Sequence, residues 1–297
     1  MTTCAHSHVL VTGASSGIGR ATALRLAKSG YHVFAGVRKP ADGAALAEAA
    51  GGDVTPVILD VTDPQQVASA VELVSGHVGD AGLTGLVNNA GIGVFGPLEL
   101  IPVEQFRRQL EVNVTGQLAI TQAALPLLRR ARGRIVMIGS IGARFTPPFV
   151  GPLAATKSAL ATMSTALRQE LAPWGIHVTV VEPGSIRSGA VDKLESDAQR
   201  VLDEATAQGR ALYRDAFGHL VDFFADLHEK GSPPEVVATT VERALRASRP
   251  RSSYLSGKNA RRMATIARLL PVPAQDALRR RLAGQPAPGS LTVGATG

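Results

Sequence analysis

The first residues whose types and spacing could do chemistry run from Thr12 to Gly19, Thr-Gly-Ala-Ser-Ser-Gly-Ile-Gly. They follow a short apolar run and lead into the helical pattern RATALRLAKSG. Glycines let a backbone turn sharply and come close to a pyrophosphate, and a helix N-terminus offers N–H groups and a dipole that favours an anion. Strand, turn and helix in this order predict a dinucleotide site, with Gly13, Ser15, Ser16, Gly17, Ile18 and Gly19 as its contacts. The next apolar run, YHVFAGV, ends at Arg38-Lys39 with no acid at its tip. An acid there would bind the adenosine ribose hydroxyls and repel a 2′-phosphate, whereas an arginine pairs with that phosphate bidentately. Arg38 therefore points to NADP(H) rather than NAD, the alternative being an ordinary surface arginine.

The elements that must position this turn read as short β-branched runs alternating with helical patterns. Strands are expected at 8–12, 31–37, 55–61, 85–91, 133–140, 177–184 and near Ser253 to Leu255. Helices are expected near 17–29, from Pro64, from about Pro102 to Arg130, near 152–172 and from about Pro234 to Ala247. This alternation predicts an α/β fold, a Rossmann-type doubly wound parallel sheet of about seven strands flanked by helices. A helical stretch from Gly189 to Gly231 interrupts the rhythm after the sixth strand. Ligands of doubly wound sheets bind at the carboxyl edge, so this insertion is expected to be a lid over a substrate pocket, with a purely structural hairpin as the alternative. A single domain over 1–282 would contain the 189–231 lid and a basic helical segment at 251–282, and the Gly/Pro/Ala-rich residues 283–297 are expected to be a mobile tail.

Further signatures follow in order: LDVTD with Asp60, Asn88-Asn89-Ala90-Gly91, Asn113 in EVNVTG, and Pro183-Gly184 closing the sixth strand. With TGASSGIG they resemble the short-chain dehydrogenase/reductase family over nearly the whole chain. GSIGARFTPPFVGP, AATKSAL, the insertion and YLSGKNARRMATIARLLP look like the branch of hydroxysteroid and retinol dehydrogenases and many bacterial oxidoreductases. The resemblance implies that Asp60 and Val61 lie beside the adenine and that Asn88, Ala90 and Gly91 line the cofactor cleft. It places Ile186 and Ser188 at the nicotinamide end, next to Pro183 and Gly184.

The resemblance also implies a catalytic set of Asn113, Ser140, Lys157 and a tyrosine four residues before that lysine. Residues at i and i+4 share a helix face, so the ammonium can lower the phenol's pKa while holding the nicotinamide ribose. The tyrosine position is Leu153. Leucine has no proton to give, and losing a positioned general acid typically costs about 10²–10⁴ in rate. Tyr31, Tyr213 and Tyr254 are the only tyrosines, and none lies near this helix in sequence. Tyr213 could reach the pocket from the lid, though a core or surface role is the plainer reading. Ser140, or Lys157 through a water, is another proton source.

Phe95, Phe145, Pro147, Pro148, Phe149 and Leu153 are expected to line an apolar substrate pocket, some of them as plain core. The leading expectation is NADP(H)-dependent chemistry on a bulky apolar carbonyl, imine or activated alkene, with protonation from elsewhere. A non-redox use of the cleft for cyclisation, isomerisation or elimination is the alternative, followed by a cofactor-bound binding protein. A Tyr→Leu substitution introduced to trap a complex is a further reading.

With 45% hydrophobic and 19% charged residues the composition is that of a globular chain able to bury a substantial core. Arg251, Lys258, Arg261, Arg262, Arg268, Arg279, Arg280 and Arg281 face one acid, Asp276, so this stretch accounts for the whole net charge of +7. Few aromatics interleave these charges, which argues against stacking on nucleic acid. The plain reading is a solvated face of C-terminal helices, and an anionic membrane surface or an acidic partner is the alternative. The single cysteine, Cys4, and a start without a signal peptide's apolar region suit a cytoplasmic protein. The small-residue face of ATKSALATMSTAL permits close helix approach, and by the family resemblance a homodimer or homotetramer is expected.

Overall fold

The protein is described from a computed structural model over residues 7–187 and 194–290. Its elements are β1 (Ser7–Val11), α1 (Gly17–Lys28), β2 (Tyr31–Val37), α2 (Pro40–Ala50), β3 (Val54–Ile58), α3 (Pro64–Val78), β4 (Gly85–Asn88) and α4 (Val103–Leu110). They continue with α5 (Gly116–Ala131), β5 (Arg134–Ile138), α6 (Gly151–Glu170), β6 (His177–Pro183), α7 (Leu194–Glu204) and α8 (Ala207–Glu229). The series closes with α9 (Pro234–Arg246), β7 (Ser253–Ser256), α10 (Ala260–Leu269) and α11 (Val272–Leu282).

Every strand carries apolar side chains on both faces, which commits the sheet to burial between two helical layers. In β1, Leu10 joins one core while Val9 and Val11 join the other; in β5, Ile135 and Met137 are separated from Val136 and Ile138 in the same way. α3, α5 and α6 cover the first face through residues such as Val74, Ile120 and Leu160. α1, α2 and α9 cover the second through Leu26, Leu46 and Val241. The seven strands are parallel in the order β3-β2-β1-β4-β5-β6-β7, as the alternation predicts. The chain reverses direction across the sheet between β1 and β4, so a crevice opens at their carboxyl ends.

Three departures from the sequence expectations matter for the site. The helix expected over 102–130 is two helices joined by one π-helical turn, Glu111–Thr115, which carries Asn113. Such turns are uncommon and often mark functional positions. The strands expected over 85–91 and 133–140 end at Asn88 and Ile138, because the residues beyond leave the ladder to form the crevice wall. α2 was not expected, although Pro40 opens it and Gly51 closes it in a left-handed conformation. Its contact with the sheet needs Gly43, where a Cβ would stand 2.7 Å from Pro56 Cβ.

The inserted stretch forms α7 and α8, with residues 188–193 outside the described residues. A third apolar cluster holds the insertion down, with Val201, Leu202, Phe217 and Leu220 packed on Ile101, Phe149 and Val150. Burying a side chain such as Phe217 contributes about 1.5–3 kcal/mol. Ala283, the first residue of the expected tail, is fully buried in this cluster, and Gly284 packs on His219. Among the described residues no helix is long and apolar enough to cross a membrane.

Candidate active site

The glycine turn sits at the head of the crevice between β1 and β4. Gly13 and Gly17 adopt left-handed φ of 63° and 53°, which other residues reach only with strain. A Cβ on Gly13 would stand 2.8 Å from Ala90 Cα, and one on Gly19 only 2.1 Å from Gly13 O. Two residues without an assigned role tie this cradle together. Thr12 Oγ1 accepts from the N–H groups of Asn89 and Ala90, both at 2.9 Å, and Asn89 Nδ2 donates to Thr12 O and Gly13 O, both at 3.0 Å. Ser16 begins α1 without a side-chain cap, leaving the first-turn N–H groups for a ligand beside the exposed Ser15 and the half-buried Ile18. The cradle therefore fits a dinucleotide diphosphate. Gly19→Ala is expected to cost about 1–3 kcal/mol of stability and to abolish NADPH binding, checked by thermal melts and fluorescence titration; unchanged binding would show that the cradle has slack.

At the adenine end, Val61 is buried and Gly116 packs against it; a Cβ on that glycine would lie 2.7 Å from Val61 Cγ2. Asp60 Oδ1 accepts from Thr62 N at 3.0 Å and Thr62 Oγ1 at 2.7 Å. Partial burial works to raise the Asp60 pKa, but these bonds and the charges of Arg38 and Arg108 outweigh it and hold the carboxyl below its usual value. Two cations thus stand near this end, and Arg108, on α4, was not singled out from the sequence.

Of the residues expected to line the cleft, Ala90 is half-buried and Gly91 exposed. Asn88 is placed differently: it is fully buried at the end of β4, and its Nδ2 donates to Thr121 Oγ1 at 2.8 Å. It braces the cleft from beneath.

Asn113 also acts as a brace. Its Oδ1 accepts from Ile92 N at 2.8 Å, and its Nδ2 donates to Ile92 O at 2.9 Å and to Thr156 Oγ1 at 3.1 Å. Thr156 Oγ1 in turn donates to Leu153 O at 2.8 Å. The π turn is thereby fastened to the first turns of α6, which carry Leu153 and Lys157. Lys157 Nζ donates to Ile138 O at 2.7 Å at the end of β5. Burial without a counter-charge lowers its pKa to about 8. Ser140, just beyond β5, accepts from Gly142 N at 3.0 Å and is half-buried.

Ser140 and Leu153 share a cavity of about 180 Å³. Phe95, Phe145 and Pro147 line it as expected, together with Gly184 and Ile186. Pro148 and Phe149 do not; they line a neighbouring groove with Tyr213. Phe149, at φ 67°, sets its ring edge-on against Phe217 and Tyr213 instead, with centroids 5.5 and 6.1 Å away. Further wall comes from α8 of the insertion, through Phe223, Phe224, Leu227 and His228, and from the C-terminal helices, through Met263 and Leu282. These six were missed, because a periodic pattern shows that a helix has an apolar face and not what that face meets.

Pro183 ends β6, and Gly184 lets the loop after β7 come close, since a Cβ there would lie 2.2 Å from Lys258 O. Ser188 lies outside the described residues. Tyr213 does not serve the cavity: its Oη donates to Glu99 Oε2 at 2.5 Å, a bond that raises the phenol's pKa. Among the described residues no cluster of side chains could hold a metal ion.

A family profile described as short chain dehydrogenase matches residues 7–199. The chain is 35% identical to mouse (Mus musculus) retinol dehydrogenase 5 over 94% of its own length and 89% of the relative's. It is 33% identical to an NADPH-dependent 3-dehydrocapnine reductase of Ornithobacterium rhinotracheale, over 84% of this chain and 87% of that one. Among solved structures, a short-chain dehydrogenase from Streptomyces avermitilis superposes with a TM-score of 0.74 at 27% identity, covering 96% of this chain and 97% of the other.

Proposed function

Because the chain belongs to the short-chain dehydrogenase/reductase family and is an oxidoreductase, we propose that it is an NADP(H)-dependent reductase of bulky apolar substrates that works without the family's tyrosine. The observation that carries this reading is the presence, along one carboxyl edge of the parallel sheet, of a diphosphate cradle at Gly13–Gly19 after β1 and an apolar cavity after β5 and β6 that has Leu153 in its wall. A bound nicotinamide supplies or accepts hydride. The chain's own residues would bind and orient: the first turn of α1 would hold the diphosphate, Lys157 the ribose, and Phe95, Phe145 and the lid phenylalanines would exclude water. Imines and conjugated alkenes are favoured over ketones, because reducing them depends less on a phenol beside the accepting carbon.

Arg38 and Arg108 near Asp60 support the phosphorylated cofactor, and a relative is named NADPH-dependent. Arg38→Glu is expected to weaken NADPH binding by about 10- to 100-fold, the worth of a charge-assisted hydrogen bond, and to narrow or reverse the preference over NADH. Fluorescence titration with both cofactors checks this, and unaltered NADPH affinity would remove Arg38 from the site. The exposed Ala155, Ser158 and Thr162 on α6 support a homodimer or homotetramer built on that helix. Exposed Leu269 and Val272 beside Arg268 support contact with an anionic membrane surface.

The test of the whole reading is to incubate the protein with NADPH and panels of apolar ketones, cyclic imines and activated alkenes, following the reduced cofactor's absorbance. Oxidation with imines or alkenes is expected. No oxidation with any class, despite NADPH binding, would refute the reductase reading.

A further inference from the structure

With leucine at the tyrosine position, a reductase of this build needs another acid facing the substrate. Among the described residues lining the cavity, His228 carries the one imidazole, and no carboxylate, phenol, thiol or amine side chain lines it. The polar side chains beside it are the hydroxyls of Ser140 and Ser185, which are far weaker acids than an imidazolium. The other candidates lie outside the cavity. Lys157 donates to Ile138 O and does not line the cavity, and Tyr213 is bonded to Glu99 in the neighbouring groove.

His228 occupies the last turn of α8, and the backbone fixes that turn against the loop where the nicotinamide end is expected. Gly231 N donates to His228 O, Ser232 N to Ser185 O and Arg187 N to Ser232 O, each at 2.9 Å. The contact is tight, since a Cβ on Gly231 would lie 3.0 Å from His228 O, 3.1 Å from Arg187 N and 3.2 Å from Ile186 C. The turn that carries His228 is thus tied by its backbone to the 185–187 loop rather than left as a free helix end.

We propose that His228 is the catalytic acid of the reduction, delivering from the lid the proton that the missing phenol would have given. This rests on the reductase reading above. As the substrate carbon takes hydride from the reduced nicotinamide, which is thereby oxidised, the π electrons of the C=N or C=C bond move to the nitrogen or the neighbouring carbon. That atom takes the proton of the His228 imidazolium: its N–H bond breaks, a new N–H or C–H bond forms, and the neutral imidazole is reprotonated from water.

The test uses the full chain, NADPH and 2-phenyl-1-pyrroline, an apolar cyclic imine, with His228→Gln and His228→Ala as variants. Both variants are expected to keep wild-type NADPH affinity and a similar KM while kcat falls by about 10²- to 10⁴-fold. Added imidazole should recover much of the loss in His228→Ala and none in His228→Gln, a response that a purely structural role would not give. Independently of turnover, the ¹⁵N resonances of His228, assigned by their loss in His228→Gln, should shift when the imine is added to protein saturated with NADP⁺. Wild-type turnover with undiminished kcat in His228→Gln, or resonances that stay fixed as the imine binds, would overturn the role of His228 alone. A wild-type protein that binds NADPH yet reduces neither this imine nor any compound of the wider panel would overturn the reductase reading and this role with it.

Discussion

Leu153→Tyr is expected to raise NADPH-dependent reduction of apolar ketones by about 10²- to 10⁴-fold. The lysine and serine expected to work with a tyrosine there stand close to that position in the fold. Lys157 lies one turn further along α6, its ammonium held on Ile138 O and its pKa lowered to about 8 by burial. Ser140 opens into the same cavity as Leu153, and the chain of bonds from Asn113 through Thr156 to Leu153 O fixes the start of α6. A phenol placed there would meet the lysine's field, which favours its ionised form and so tunes it as an acid. Imine reduction should change much less, because its proton is supplied elsewhere. A ratio of ketone to imine rates, measured for both proteins under saturating NADPH, checks the effect. If tyrosine raises neither rate, the position is not beside the reacting carbon.

Lys157→Met should separate stability from binding. The folded-state pKa of Lys157 falls from 10.5 to about 8, so between those values the unfolded chain binds more protons and stability rises with pH. Below about pH 8 the full cost of burying the ammonium is present, about 3 kcal/mol. Methionine removes that cost and also the hydrogen bond to Ile138 O, worth about 1 kcal/mol, for a net gain of about 2 kcal/mol at pH 7. The same change removes the ammonium proposed to hold the nicotinamide ribose, so NADPH affinity should fall by about tenfold or more, in line with the worth of a charge-assisted hydrogen bond. Urea unfolding at pH 7 and pH 10 tests the first half: the wild-type protein should gain stability between them, and the variant should not. A variant no more stable than wild type at pH 7 would mean that Lys157 finds a counter-charge or solvent.

The sheet was legible in the sequence because parallel strands buried on both faces leave continuous Val/Ile runs such as HVLV and RIVMI, and no distant partner is needed to read them. The glycine turn was legible for a related reason, since its strand, its positive-φ glycines and its helix are contiguous. What stayed hidden depends on contacts between residues far apart. Asn88 looks like a cleft residue in its motif, but Thr121, 33 positions away, draws its amide into the core. The break at Asn113 leaves the apolar periodicity of 102–130 undisturbed, because the π turn follows from a side chain bonding the backbone of Ile92. Phe149 and Phe145 are equally apolar in sequence, and only the left-handed turn at Phe149 sends them into different cavities. His228 lies in a helix with several apolar positions, and nothing local says that its turn closes on Ile186.

The central claim is that this crevice transfers hydride from NADPH without a tyrosine acid, and isotope transfer tests it most directly. NADPH carrying deuterium at C4 of the nicotinamide is mixed with the unaltered protein and the imine and alkene panel, and the products are read by mass spectrometry and NMR. The expected result is a product with one deuterium on the former C=N or C=C carbon, set with a single stereochemistry. Tight NADPH binding with no label in any product from the unaltered protein, while Leu153→Tyr labels the same compounds, would contradict it.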